Sequence, residues 1–198
     1  MTQQLIMVFL RHPEKGKVKT RLAATIGEDR ALEVYERLLS HTLATVSVMP
    51  FDKQAWFADG RGKGDAWEKA GFKIHAQQEG DLGKRMAQAF SRAFTEGYEQ
   101  VVIIGTDCPG LTADLLNEAI ELLATHDVVI GPADDGGYYL LGMRGPFLRL
   151  FDGIRWSTDS VSRETEQLCV EHKLSYTMLR PLGDIDREED LHLLDLLP

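Results

Sequence analysis

Residues 101–112 read VVIIGTDCPGLT. Four β-branched residues and a glycine are followed by a lone carboxylate, a Pro-Gly turn, and a threonine placed before the next amphipathic run. The spacing predicts a strand apolar on both faces, then a turn, then a helix whose first N–H groups Thr112 can cap. A strand with two apolar faces needs cover on both sides, so this stretch implies a largely parallel sheet sandwiched between helical layers, an α/β/α arrangement. It also delivers Asp107 to the sheet's carboxyl edge, where ligands sit in open α/β folds.

Working outward, the same pattern recurs. LIMVFL (5–10), QAWFA (54–58), FKIHA (72–76), DVVIG (127–131), YYLLGM (138–143) and LSYTML (174–179) are short apolar runs bounded mostly by Gly, Pro or charge, and read as strands. Between them Leu32, Tyr35, Leu39, Leu43 and Val46 recur at helical spacing. So do Leu82, Met86, Ala89, Phe90 and Ala93, and then Leu115, Leu116, Ala119, Ile120 and Leu123. No repeat or low-complexity segment interrupts the alternation, and one domain over residues 1–198 is expected. The stretch DGRGKGDAWEKAG (59–71) reads as a surface connection with one helical turn.

The chain has 198 residues, 43% hydrophobic and 27% charged, which suffices for one sizeable core. Its net charge of -9, from 22 Lys and Arg against 31 Asp and Glu, argues against nucleic acid or an anionic membrane surface as partner. Cys108 and Cys169 are the two cysteines and lack metal-type spacing, which suits free thiols in a reducing compartment. The six histidines form no metal spacing either. The first apolar run is too short for a signal-peptide core and no window reaches membrane-spanning length, so a cytoplasmic location without membrane insertion is expected.

Four loops carry the candidate chemistry. The first, RHPEKGKVKTRLA (11–23), packs five Lys and Arg residues behind the first strand. It is not a P-loop, because Arg11 stands where the first glycine belongs and Val18 follows Gly16-Lys17. Its backbone donors with Lys17, Lys19 and Arg21 either converge on an anion or form a solvated basic turn. The second is the turn after residues 101–105, where Asp107 is a metal anchor or merely a partner for its own turn. The third, GPADDGGYYLLG (131–142), places Asp134, Asp135, Gly136 and Gly137 before a strand, as a ligand-approach loop or a hairpin turn. The fourth, LGDIDREEDL (182–191), makes Asp186 an N-cap with Glu189 three residues on, which leaves Asp184 without a structural duty. Trp156 precedes the STDS start of another helix and can stack on a base or sugar, or simply pack. Cys108 is discounted as a nucleophile because the neighbouring carboxylate raises a thiol's pKa.

The set VKTRLA, GDLGKRM, IGTDCPGL, ADDGGYYLLG and D-I-D-x-x-x-D-L resembles the GT-A-like family labelled as glycosyltransferases, within the nucleotide-diphospho-sugar transferase superfamily. It spans nearly the whole chain. More distantly the sequence is similar to 2-phospho-L-lactate guanylyltransferase and to the molybdenum cofactor guanylyltransferases.

The resemblance implies a Rossmann-like GT-A fold with a mostly parallel mixed sheet. It implies that Arg11, Gly16, Lys17, Lys19 and Arg21 meet the nucleotide's phosphates and that Gly80, Gly83 and Arg85 lie against the nucleotide. Asp107 would hold magnesium or manganese, with Asp184 or Asp186 as second ligand. Asp134, Asp135, Gly136, Gly137 and Trp156 would face the sugar or acceptor. Asp107, Lys19 and Arg21 would carry the chemistry. One departure stands out: a D-x-D signature is absent, since Gly105 occupies the position two before Asp107. The function implied is metal-dependent transfer of a glycosyl group from a nucleotide sugar to a small acceptor. The alternatives are nucleotidyl transfer from a nucleoside triphosphate to a phosphorylated acceptor, and a nucleotide-binding sensor without turnover. Acceptor, base and assembly, a homodimer included, stay open.

Overall fold

The computed structural model describes residues 3–60 and 66–197, so the centre of the 59–71 connection lies outside the described residues. Seven strands, β1 (Gln4–Leu10), β2 (Asp52–Phe57), β3 (Lys73–Ala76), β4 (Gln100–Ile104), β5 (Val128–Pro132), β6 (Tyr138–Met143) and β7 (Tyr176–Met178), form one sheet ordered β3-β2-β1-β4-β6-β5-β7. Every expected strand is present. All neighbours are parallel except β6, which runs antiparallel to both β4 and β5. The mixed, mostly parallel sheet is thus as expected, and its reversed strand comes from the tight turn after β5.

The helices are α1 (Thr20–Ile26), α2 (Glu28–Ser47), α3 (Ala66–Lys69), α4 (Leu82–Thr95), α5 (Ala113–Leu122) and α6 (Val161–Glu171), with 3-10 segments at Leu148–Phe151 and Glu188–Leu196. Thr112 accepts the N–H of Leu115 and Asp81 that of Lys84, so α5 and α4 begin on side-chain caps. The period-2 alternation of the strands splits the interior. Ile6, Val8, Val102 and Ile104 pack with Leu39, Leu116 and Ala119 on the side of α2 and α5. Leu5, Met7, Val101 and Ile103 pack with Met86, Phe90 and Cys169 on the side of α4 and α6. These are the two interfaces of a three-layer fold, and each fully buried Leu, Ile or Phe contributes about 1.5 to 3 kcal/mol.

A third, smaller cluster joins α1 and α2 to the C-terminal segment. Leu22, Ala31, Val34 and Leu38 enclose Ile185, which has no exposed surface. The start of the last element differs from expectation. Arg187, not Asp186, is the residue before the helical turn, and Asp190, not Glu189, closes it by accepting the N–H groups of Arg187 at 2.7 Å and Asp186 at 3.0 Å. Burial of Ile185 fixes the backbone one residue further along, which frees the Asp186 carboxylate for another partner. No helix among the described residues is long and apolar enough to cross a membrane.

Candidate functional site

β1 is flanked on one side by β2 and β3 and on the other by β4, so the chain reverses its direction of winding between β1 and β4. The loops leaving those two strands must splay apart there, which opens a crevice at the carboxyl edge. The β5–β6 hairpin tip and the segment after β7 reach the same edge, joined by a bridge between Ala133 and Leu182. The result is a cleft of about 1170 Å³ lined by all four candidate loops.

The loop after β1 is pinned from below. The Tyr35 hydroxyl, on α2, accepts the Arg11 N–H at 3.0 Å and donates to the Arg11 carbonyl at 3.1 Å. Burial, above all, pushes this phenol up to about 12, so it stays a neutral donor. Sequence reasoning placed Tyr35 in the core of α2 and missed this duty, because helical periodicity does not reveal where a phenol's polar end points.

The basic residues of the loop divide into two groups. Lys15 pairs with Asp29 at 2.6 Å, Lys17 with Glu14 at 2.8 Å and Arg21 with Asp186 at 2.8 Å. Lys19, in a left-handed conformation with φ 47° immediately before α1, sends its ammonium inward. There it meets Asp107 Oδ1 at 2.5 Å and the Ile185 carbonyl at 2.5 Å, with its side chain 6% exposed. Arg11 and Arg85 behave differently: among the described residues neither forms a salt bridge, and both line the cleft. Arg85 donates to Gln77 Oε1 at 2.9 Å. Burial and then the nearby Arg11 charge hold its pKa below the usual arginine value, the sign of two like charges facing the same space.

The cleft also carries several carboxylates. The Asp184 carboxyl is pushed up to about 6 by burial, then by Asp135 and Asp107. Asp135 accepts the Gly137 N–H at 2.8 Å, and Asp134 lines the cleft beside Gly183. The 131–142 segment is therefore a hairpin turn and a cleft wall at once. Gly136 stands at φ 87°, and a Cβ there would lie 2.1 Å from the Asp159 carbonyl oxygen, so the hairpin tip fits backbone to backbone against the 155–160 loop. That loop is bound by Glu164, which accepts the Arg155 N–H, its guanidinium and the Ser160 hydroxyl.

Gly16, Gly80, Gly83 and Gly136 do not line the cleft. Gly83 is instead the seat of Trp156, whose indole would lie 2.2 Å from an added Cβ. Trp156 also stacks on Phe151 with centroids 6.1 Å apart and still shows one edge to the cleft, so it packs and lines at once. Cys108 is buried, and burial with the Asp107 charge pushes its thiol well up, as the discounted nucleophile role requires.

Among the described residues no three His, Cys, Asp or Glu side chains form a preformed metal centre. Magnesium asks for less, since it binds through one or two carboxylates together with substrate phosphates and water. Asp107 and Asp184 both line the cleft and supply hard carboxylate oxygens, so the donor set fits such an ion. Asp186 is engaged by Arg21.

The profile of a family described as "Uncharacterized protein conserved in bacteria (DUF2064)" matches residues 37–158. A solved structure, the "putative nucleotide-diphospho-sugar transferase" of Desulfovibrio desulfuricans G20, is 35% identical and superimposes with a TM-score of 0.87 over 98% of this chain and 87% of that one. The inositol-1-phosphate CTP transferase of T. maritima is 12% identical, with a TM-score of 0.59 over 100% and 96% of the two chains. Rv0371C of Mycobacterium tuberculosis H37Rv, in complex with manganese, is 14% identical with a TM-score of 0.54 over 99% and 98%. The last two share the fold. No curated protein matches the chain significantly.

Proposed function

Since the chain belongs to the DUF2064 family and shares 35% identity with a protein described as a nucleotide-diphospho-sugar transferase, we propose that it is a transferase whose substrate is a nucleotide sugar. One domain, residues 1–198, carries the activity. The observation that supports this best is the mixed charge of the cleft. Two guanidiniums that form no salt bridge among the described residues, Arg11 and Arg85, line the cleft together with the carboxylates of Asp134, Asp135 and Asp184. A molecule with a diphosphate and a hydroxyl-rich sugar offers a partner to both kinds of group.

In this reading the phosphates lie against Arg11 and Arg85, whose charge-assisted hydrogen bonds are strong in a partly desolvated cleft. The sugar and acceptor hydroxyls donate to the carboxylates at the hairpin tip, beside the Trp156 edge. Magnesium or manganese, held by Asp107 with Asp184 in the same cleft, would bridge these carboxylates to the diphosphate and supply neutralisation of its charge as it departs. Tyr35 keeps the Arg11 backbone in place while charge develops. The acceptor's hydroxyl oxygen forms a bond to the sugar's anomeric carbon while its proton passes to a carboxylate of the hairpin tip, the bond from that carbon to the diphosphate oxygen breaks, and the nucleoside diphosphate leaves with that electron pair. Nucleotidyl transfer to a phosphorylated acceptor is the less favoured reading, because it would bring a second anion among the same carboxylates.

A thermal-shift panel of nucleoside triphosphates and nucleotide sugars, each with and without magnesium, tests this. We expect a nucleotide sugar to stabilise the protein most and magnesium to enhance the effect. Stabilisation by triphosphates alone would move the assignment to nucleotidyl transfer, and a ligand that stabilises without any turnover would leave a binding protein.

A further inference from the structure

We propose that Lys19 is a positioning residue, an internal counter-ion that holds Asp107 and ties the 183–187 segment across the cleft, and that it does not meet the substrate's phosphates. This rests on the transferase reading for its purpose but not for its geometry. Lys19 lines the cleft, but its side chain is 6% exposed and its ammonium is engaged by two protein partners, Asp107 and the Ile185 carbonyl. Its backbone is left-handed at φ 47°, a conformation that a non-glycine residue keeps only where surrounding contacts hold it.

Its contacts join three distant parts of the chain. Lys19 belongs to the loop after β1, Asp107 to the turn after β4, and Ile185 to the C-terminal segment. The link is doubled by the backbone, because the Ile185 N–H donates to the Asp107 carbonyl at 2.9 Å. Arg21 repeats the pattern one helical step away by pairing with Asp186. Two of the residues expected to meet phosphate, Lys19 and Arg21, thus bind the 184–186 segment. Asp107, whose side chain is half exposed, keeps one oxygen toward the cleft, with its charge already partly compensated. A divalent cation must share that carboxylate with the ammonium, so Lys19 gives up some metal affinity in return for a fixed carboxylate position.

The test compares Lys19→Met and the milder Lys19→Gln with Arg11→Ala in the full chain. Three readouts are used: hydrogen exchange at the Ile185 amide, calorimetric titration with inorganic pyrophosphate, and manganese binding followed by water-proton relaxation. For the Lys19 variants we expect Ile185 protection to fall at least tenfold and manganese to bind at least threefold more tightly. Pyrophosphate affinity should change less than threefold. Arg11→Ala should weaken pyrophosphate at least tenfold and leave Ile185 protection intact. If Lys19→Gln keeps full Ile185 protection, or loses pyrophosphate affinity as Arg11→Ala does, or leaves manganese affinity at or below that of the wild type, the counter-ion role is overturned. If the unaltered protein binds no pyrophosphate, the transferase reading fails while the exchange readout still decides the role of Lys19.

Discussion

At the scale of single residues, Asp107 has two duties that its position in the sequence does not separate. The aspartate of the TDCP turn is a cleft carboxylate, but it is also the partner of an ammonium that has almost no other contact with solvent. Replacement by Asn keeps the shape and removes the charge, so Asp107→Asn is not structurally silent. Since Asp107 is half exposed, the penalty stays below that of a fully buried ion pair, and we expect a loss of about 2 kcal/mol in urea denaturation. A variant as stable as wild type would show that Lys19 finds water or the Ile185 carbonyl sufficient. Arg11 is the converse case, a residue whose backbone is fixed by Tyr35 and whose side chain forms no salt bridge among the described residues.

At the scale of elements, two contacts hold the wall formed by the 155–160 loop. The first is the fit of Gly136 against Asp159. Gly136→Ala would combine a left-handed backbone with a collision against a carbonyl that cannot rotate away, and should cost about 3 kcal/mol by denaturation; a cost under about 1 kcal/mol would mean that the loop moves freely. The second is the Glu164 anchor at the start of α6. Hydrogen bonds from the Arg155 backbone, its guanidinium and Ser160 hold this carboxyl down to about 2, below the ordinary 4.5. A lowered carboxyl pKa stabilises the folded state fully above the unfolded value and loses that contribution as pH falls through the folded one. The stability gap between wild type and Glu164→Gln should therefore be constant above about pH 5 and close as pH falls toward about 2. A gap independent of pH over that range would contradict the anchor.

At the scale of the whole molecule, the sheet separates two interiors that share strands but not side chains. Ile104 faces the α2 and α5 layer and Ile130 the α4 and α6 layer, and neither has exposed surface. Each Ile→Val change removes one methyl from a close-packed site and should cost about 1 kcal/mol. With no shared partners, the double variant should lose the sum to within about 0.5 kcal/mol, as equilibrium unfolding can measure. A larger coupling would mean that the sheet transmits strain between its faces. The same topology makes the cleft a property of the fold: reversing the winding at β1 and β4 opens the crevice whatever the loops contain.

By itself the sequence determined the seven strands, the three principal amphipathic helices, the layered fold and the loops that meet at one edge. These follow from periodicity and turn residues, which act over a few neighbouring positions and are written there. Through the family resemblance of its motifs it also brought Asp107, Asp184 and Arg85 to one site, and all three line the cleft. Only the tertiary structure decided which charges pair. Lys17, Lys19 and Arg21 look alike as a basic run, yet one pairs with Glu14 within its own loop, one is buried against Asp107, and one crosses to Asp186. The partners of the last two lie 88 and 165 positions away, and burial of Ile185 shifts the start of the final turn by one residue. Charge pairing depends on distances of a few ångströms between segments that composition and spacing leave unrelated, so a local pattern can name the cations but not say which of them remain for a substrate.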